Sequence, residues 1–244
     1  MPLRYPKELL PIAFIREAET GVIRPQLSIE FSLRALAAGD IHRAIVLISD
    51  SKREIVRVLG DGTDYGVHLA YVPREVPLGL ADAITAALPW VGESHVALSL
   101  PDTVFQPADA FNRLRERLLG TAMDLVLGVF PTGNPRTLGP VQIGAASRVL
   151  RVWEKPREPT PNNTWGIAVW SLRFTQFLKA FMSRNGTPMD LSVGHAFQGA
   201  VESGLRVSAI DFIDGSYLDI GTLDGIQSLV SGAENSHPCD IMRS

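Results

Sequence analysis

Apolar positions in this chain come in short runs, separated by amphipathic stretches, and the two kinds alternate. "RAIVLIS" (43–49) is rich in branched residues and predicts a strand buried on both faces. "SKREIVRVLGDG" (51–62) predicts a helix with Ser51 as N-cap and Gly60 as stop. "GVHLAYV" (66–72) alternates, with Val67, Leu69 and Tyr71 on one face of a strand. "ADAITAALP" (81–89) predicts a helix ended by Pro89. "HVALSL" (95–100) predicts another buried strand, running straight into Pro101-Asp102. "ADAFNRLRERLLG" (108–120) predicts an amphipathic helix with Phe111, Leu114 and Leu118 on one stripe, and "MDLVLGVF" (123–130) the next buried strand. In "LRFTQFLKAF" (172–181), Phe174, Phe177, Leu178 and Phe181 recur at helical spacing, an aromatic stripe expected to pack a core.

This alternation predicts an α/β fold, with a mostly parallel mixed sheet and helices on both faces. No internal repeat or linker run interrupts it, so residues 1–232 read as a single domain and 233–244 as a loose tail. "EKPREPTPNNTWG" (154–166) reads as a loop long enough to be functional.

Composition narrows the classes. The 244 residues and a mean hydropathy of +0.11 suit a well-buried globular chain. A net charge of −3 offers no basic field for nucleic acid or an anionic membrane, so neither is expected as a partner. Cys239 is the one cysteine, which fits a reducing compartment, and no apolar run has the length of a membrane span. The expectation is a soluble, cytoplasmic protein.

In open α/β sheets, ligands bind beyond the carboxyl ends of the strands. Asp102 stands directly after "VALSL", where a carboxylate can hold a divalent cation or cap a following helix; position alone leaves the two even. Asp219 lies in "SYLDIGTLDG", with Gly221 as a turn and Thr222 as the cap of a last helix. Gly79, in "PLGLADA", precedes a helix N-terminus and lets a backbone approach a ligand, although such a glycine is usually only a turn. "RVWEKP" puts Glu154 and Lys155 at a strand end, more often a solvated pair than a site. Lys7, in "PKELLPI", can neutralise phosphate as a point charge, or simply aid solubility. The histidines show no metal-ligand spacing, and hydrolase, Walker A and GxGxxG patterns are absent from the sequence. Carboxylates, lysines and glycines are the set used for phosphate chemistry on a bound Mg²⁺.

Taken in order, "PKELLPI", "LRALAAGDIHRAIVLIS", "PLGLADA", "LSLPDTVF", "VWEKP" and "YLDIGT" resemble the segments of the sugar-1-phosphate nucleotidyltransferases. The likeness is greatest to glucose-1-phosphate thymidylyltransferases and UTP–glucose-1-phosphate uridylyltransferases, and it spans roughly residues 3 to 230. It implies the Rossmann-like fold of the nucleotide-diphospho-sugar transferases. It also implies an enzyme of nucleotide-sugar biosynthesis, joining dTTP or UTP to a sugar 1-phosphate such as glucose 1-phosphate and releasing pyrophosphate. Carried over by position, Asp102 and Asp219 would hold Mg²⁺ and Lys7 would neutralise nucleotide phosphate. Lys155 would grip the sugar phosphate, and Glu154 would accept hydrogen bonds from sugar hydroxyls. Gly79 would meet the base, Gly139 would lie under the sugar, and Gly166 would sit in the matching strand beside it.

The departures set further expectations. The family places a strand and a glycine-rich loop with a catalytic arginine before its Pro-Lys, and no such segment precedes Lys7 in this sequence. The domain is therefore expected to be truncated at its N-terminus, with a sheet strand and the triphosphate cradle lost and open strand edges left behind. A catalytically impaired homologue that binds a sugar phosphate or nucleotide-sugar in a regulatory role is the alternative. Pro101 and Thr103 flank Asp102 where the family usually has Gly and Asn, Gln142 replaces a common glutamate, and Arg74 stands near the base-reading glutamine. Sugar, nucleotide and any homo-oligomer are left open.

Overall fold

The computed structural model describes residues 6–17, 21–74, 79–158, 160–185, 191–222, 225–227 and 229. The elements run β1 (Pro11–Arg16), β2 (Ile23–Leu27), α1 (Ser28–Ala38), β3 (Arg43–Ile48), α2 (Glu54–Leu59), β4 (His68–Pro73), α3 (Leu80–Val91), β5 (Val96–Leu98) and β6 (Thr103–Gln106). They continue α4 (Ala110–Gly120), β7 (Leu125–Pro131), β8 (Val141–Ile143), β9 (Val149–Val152), β10 (Asn163–Trp170), α5 (Leu172–Asn185), α6 (Val193–Glu202), β11 (Val207–Asp211) and β12 (Ser216–Asp219).

A sheet in the order β11-β7-β10-β5 forms the centre. β11 runs parallel to β7, and β10 runs antiparallel to both β7 and β5. The period of two along β7 divides the core. Leu125, Leu127 and Val129 pack with α3, α5 and α6 through Ile84, Phe174 and Phe197. Val126 and Phe130 join α1 and α4 through Phe31, Phe111 and Leu114 on the other face. This is the expected α/β layering, with helices on both faces of the sheet.

β3 and β4 form a separate parallel pair. Between β3 and β5 lies a cavity of about 1230 Å³, lined by both strands and by α1, α3 and α4. Residues Ala44–Leu47 are consequently only half-buried, which corrects the expectation that this strand is buried on both faces. β4 covers one edge of β3; the other faces the cavity.

Three boundaries also differ from the sequence reading. Ser51 lies inside a 3₁₀ turn, Asp50–Lys52, and does not cap α2, whose N-cap is Arg53. Gly60 does end that helix, with φ 57°. Pro89 sits within α3, because a proline in the last turn removes a single backbone hydrogen bond and leaves the earlier turns intact; Gly92 ends the helix. The segment read as a loop over 154–166 gives way to β10 at Asn163, where Thr164–Trp170 are buried and the strand pairs with β7 across a bulge at Gly166. The expected loose tail, 233–244, lies outside the described residues.

Candidate functional site

The site grows from a strand register. β6 follows Asp102 directly and pairs antiparallel with β12, so that Asp219 stands opposite Thr103. The ladder is extended by the Ile220 N–H, which donates to the Asp102 carbonyl at 2.9 Å. Two carboxylates 117 residues apart in sequence thus become neighbours at one end of the sheet. A 3₁₀ turn, Lys7–Leu9, brings the third member: the Lys7 ammonium donates to Asp102 Oδ2.

Gly221 shows how closely the three converge. A Cβ there would lie 2.7 Å from Asp102 Oδ2, 2.7 Å from Lys7 Nζ and 2.8 Å from Asp219 Oδ1. The absence of a side chain leaves room for the cluster, and the Gly221 N–H donates to Asp219 Oδ1 at 2.7 Å. Burial, with a smaller push from Asp102, holds the Asp219 carboxyl above its ordinary range despite the Gly221 bond and the nearby Lys7 and Lys155. Burial alone would lower the Lys7 ammonium, but the Asp102 hydrogen bond and charge outweigh it and raise it. The Tyr217 hydroxyl is pushed far up by burial and by the same two acids.

Lys155 approaches from the end of β9. Its φ of 44° is a left-handed conformation that a side chain rarely adopts, and its N–H donates to the Leu138 carbonyl at 2.9 Å. Glu154 points to the start of α6: a Cβ on Gly194 would lie 2.5 Å from Glu154 Oε2. A carboxylate is favoured at that helix N-terminus by the backbone dipole. Gly139 lies against Trp165, whose indole nitrogen would be 2.2 Å from a Cβ. The same segment carries Trp153, whose N–H donates to Pro140, so Gly139 and the Glu154–Lys155 strand end are held side by side.

The structure therefore gathers Lys7, Asp102 and Asp219, with Lys155 acting on Asp219, and places Glu154 and Gly139 on the adjoining strand end. Gly166 differs. The space where its Cβ would be is closed by Tyr217 and Phe130, at 2.6 Å and 3.1 Å, so on that side it packs the ring beneath the acids. Gly79 is the N-cap of α3 with φ 106°, a conformation that requires glycine. Thr222 caps the last helical turn as expected, accepting from the Gly225 N–H at 3.1 Å.

Sequence reasoning missed Glu8, Asp82 and Tyr217, and it left Arg74 without its partner. Glu8 is buried and takes Lys52 as its partner, placing the end of β3 beside Lys7. Its signal was its place next to Lys7. Arg74 makes a bidentate pair with the buried Asp82, at 3.0 and 2.6 Å, tying the end of β4 to the first turn of α3. Tyr217 forms the floor, for which the sequence held no signal beyond an aromatic residue two before Asp219.

Comparison with known proteins gives the family. The Nucleotidyl transferase family model matches residues 25–236. The chain belongs to the nucleotidyl transferase family. It is 27% identical over 229 residues to the low-salt glycan biosynthesis nucleotidyltransferase Agl11 of Haloferax volcanii, covering 91% of this chain and 58% of that protein. It is 24% identical over 250 residues to a glucose-1-phosphate thymidylyltransferase of Streptomyces antibioticus, covering 96% and 68%. The chain thus spans about three fifths to two thirds of the length of these relatives. Among solved structures, a Bacillus anthracis protein assigned as a glucose-1-phosphate thymidylyltransferase, in complex with sucrose, superposes with a TM-score of 0.78 at 19% identity, covering 95% of this chain and 88% of that one. The UTP-bound UGPase of Acinetobacter baumannii gives 0.72 at 19% identity, covering 98% and 89%. At these identities the two superpositions establish the fold. Among the described residues, no helix is long and apolar enough to cross a membrane.

Proposed function

We propose that the chain carries the reaction centre of an enzyme that transfers a nucleotidyl group from dTTP or UTP to a sugar 1-phosphate, with glucose 1-phosphate as the sugar substrate. The observation that carries this reading is the convergence of Lys7, Asp102 and Asp219 around Gly221. In the reaction, an oxygen of the sugar phosphate forms a bond to the α-phosphorus, and the bond from that phosphorus to the bridging oxygen breaks, releasing pyrophosphate. The difficulty is to bring two anions into line, so positioning and charge stabilisation supply the catalysis.

The acid pair fits Mg²⁺. Both donors are hard carboxylate oxygens, and Mg²⁺ is commonly held by one or two carboxylates, with phosphates and water completing its shell. Among the described residues no cluster of three or more acids, histidines or cysteines could hold a metal, so the pair would rely on substrate oxygens for the rest. When bound, the ion would screen the repulsion between the two phosphate groups. Lys7 neutralises phosphate on one side of Asp102. Lys155, fixed by its Leu138 bond, presents its ammonium to the sugar phosphate, and Glu154 accepts from sugar hydroxyls. Gly79 leaves backbone N–H groups of α3 open to the nucleotide, and Gly139 and Gly166 shape the sugar side. A cytoplasmic setting belongs to the same reading and rests on the single cysteine.

A second reading, a catalytically impaired homologue that binds sugar phosphate or nucleotide-sugar, is favoured by one observation: the residues leading into Asp102, Ser99–Pro101, line the open cavity between β3 and β5. Pyrophosphate release from dTTP or UTP with glucose 1-phosphate and MgCl₂ separates the two. Slow, Mg²⁺-dependent release, reduced about 100-fold or more in Asp219→Asn, is the expected result. Calorimetric binding of glucose 1-phosphate without release selects the second reading. Neither release nor binding defeats both.

A further inference from the structure

A different cavity opens at the far end of the central sheet from the acid cluster. It measures about 680 Å³ and lies where β5, β7 and β11 begin, between the end of α4 and the start of α5. His95, Asp124, Arg173, Gln176 and Arg206 supply its polar lining. β5 starts after His95 and leads to Asp102, so the length of that strand separates the cavity from the cluster of Lys7, Asp102 and Asp219.

Its charges do not balance. Asp124 is the one acid in the lining, and Arg206 already serves it, donating its backbone N–H at 2.8 Å and Nη2 at 3.2 Å. Asp124 is buried, while the Arg206 side chain is half exposed. The Arg206 fork meets Asp124 through Nε and Nη2, which leaves the two Nη1 hydrogens free of that pair. Arg173 stands 3.7 Å from Asp124 Oδ2, too far for a hydrogen bond, and its side chain is 61% exposed. It is a second guanidinium beside an acid that the first has neutralised, so one positive charge is in excess. Among the described residues, the side chains of Gln176 and His95 have no hydrogen-bond partner either. Beside these donors the wall is apolar: Leu118, Leu119 and Leu172 line the same cavity, and Leu119 is more than half exposed.

We propose that this cavity binds a small organic anion, a phosphate monoester or a carboxylate attached to an apolar group. The Arg173 and Arg206 guanidinium groups take the anion, and Leu118, Leu119 and Leu172 take the apolar group. A planar fork of N–H donors matches the oxygens of either anion, and bonds to charged groups are the strong ones. The volume lies in the range of small-molecule sites, which combine an apolar lining with a few convergent polar groups. An anion held there bridges the start of α5 to the start of β11 and cancels the excess charge. The site is separate from the transfer centre, and the proposal holds whether or not that reaction is the right one.

The probes are phenyl phosphate and phenylacetate, with inorganic phosphate as the bare ion and phenol as the neutral control, each titrated to millimolar concentration and followed by amide NMR shifts of the whole chain. Phenyl phosphate, phenylacetate or both are expected to shift Thr121–Asp124, Leu172–Gln176 and Arg206, and to do so equally in Asp219→Asn. The tighter of the two names the anion. Arg173→Ala removes an exposed side chain that makes no hydrogen bond, so the variant is expected to fold and to bind about tenfold or more weakly. Shifts confined to the surroundings of Lys7 and Lys155, or no shifts with either organic anion, overturn the proposal. Equal affinity of wild type and Arg173→Ala overturns it as well. An equal response to inorganic phosphate means an adventitious ion only, and an equal response to phenol means an apolar site; each of these also overturns it.

Discussion

β3 and β7 carry similar sequences and have different fates. "RAIVLI" and "LVLGVFP" are both short apolar runs of the kind that fills a sheet centre. β7 lies between β10 and β11, and its residues from Leu125 to Phe130 are fully buried. β3 has β4 on one edge and the cavity on the other, so Ala44–Leu47 are only half-buried. Burial is thus set by neighbours that a strand's own residues do not encode. A run of branched residues establishes that a strand can be buried, and the sheet order decides whether it is.

Truncation experiments sharpen this contrast most. Leu127→Ala in β7 is expected to cost about 2–5 kcal/mol, the transfer and cavity terms together, as read from denaturant midpoints. Ile45→Ala in β3 should cost about 1 kcal/mol, because part of that side chain already meets the cavity. Equal losses at the two positions would mean that β3 is covered in solution.

A second contrast is between two acids. Asp124 is buried and held by Arg206 through its backbone N–H at 2.8 Å and its guanidinium at 3.2 Å. Burial opposes ionisation there, but the Arg206 bonds outweigh it, and the carboxyl sits below its ordinary range. A depressed folded value contributes stability that is present above about pH 3.9 and lost as pH falls through the folded value. Asp124→Asn should therefore cost about 1–3 kcal/mol at pH 7 and progressively less in acid. A variant whose deficit stays constant with pH would contradict the ion pair as the cause.

Asp219 has the opposite sign. Its raised value means that its contribution is fully present below about pH 3.9 and is lost as pH rises through the folded value. Asp219→Asn should then leave Tm at pH 7 unchanged or slightly higher in the absence of divalent cation, the smallest effect of the set. A fall of several degrees would assign Asp219 a structural duty instead. The pair contrasts a carboxylate whose ionised form stabilises the fold with one whose ionised form burial disfavours.

Much of the candidate site, as a set of residues that converge, was legible in the sequence. Strand ends marked Asp102, and Lys7, Lys155 and Asp219 stood in segments whose order resembles the family. Gly166 was legible only as a position: Tyr217 and Phe130 occupy the side where a residue with a Cβ would project. Glu8, Arg74–Asp82 and Tyr217 were not legible as partners, because each depends on a contact between elements far apart in the chain. The helix boundaries missed by a few residues for a local reason, since Ser51 can satisfy a 3₁₀ turn as readily as an α-helix N-terminus.

By itself, the sequence determined the kinds of element, the α/β class and the supply of carboxylates, lysines and glycines, because these follow from side-chain period and local backbone preference. The tertiary structure alone decided that Asp102 and Asp219 meet, through the antiparallel register of β6 and β12, and that Lys7 closes the cluster over Gly221. It also decided that β3 and β5 stand apart, with a cavity and no strand between them among the described residues. Strand pairing is a long-range choice, made by the whole set of neighbours, and no single run of residues carries it.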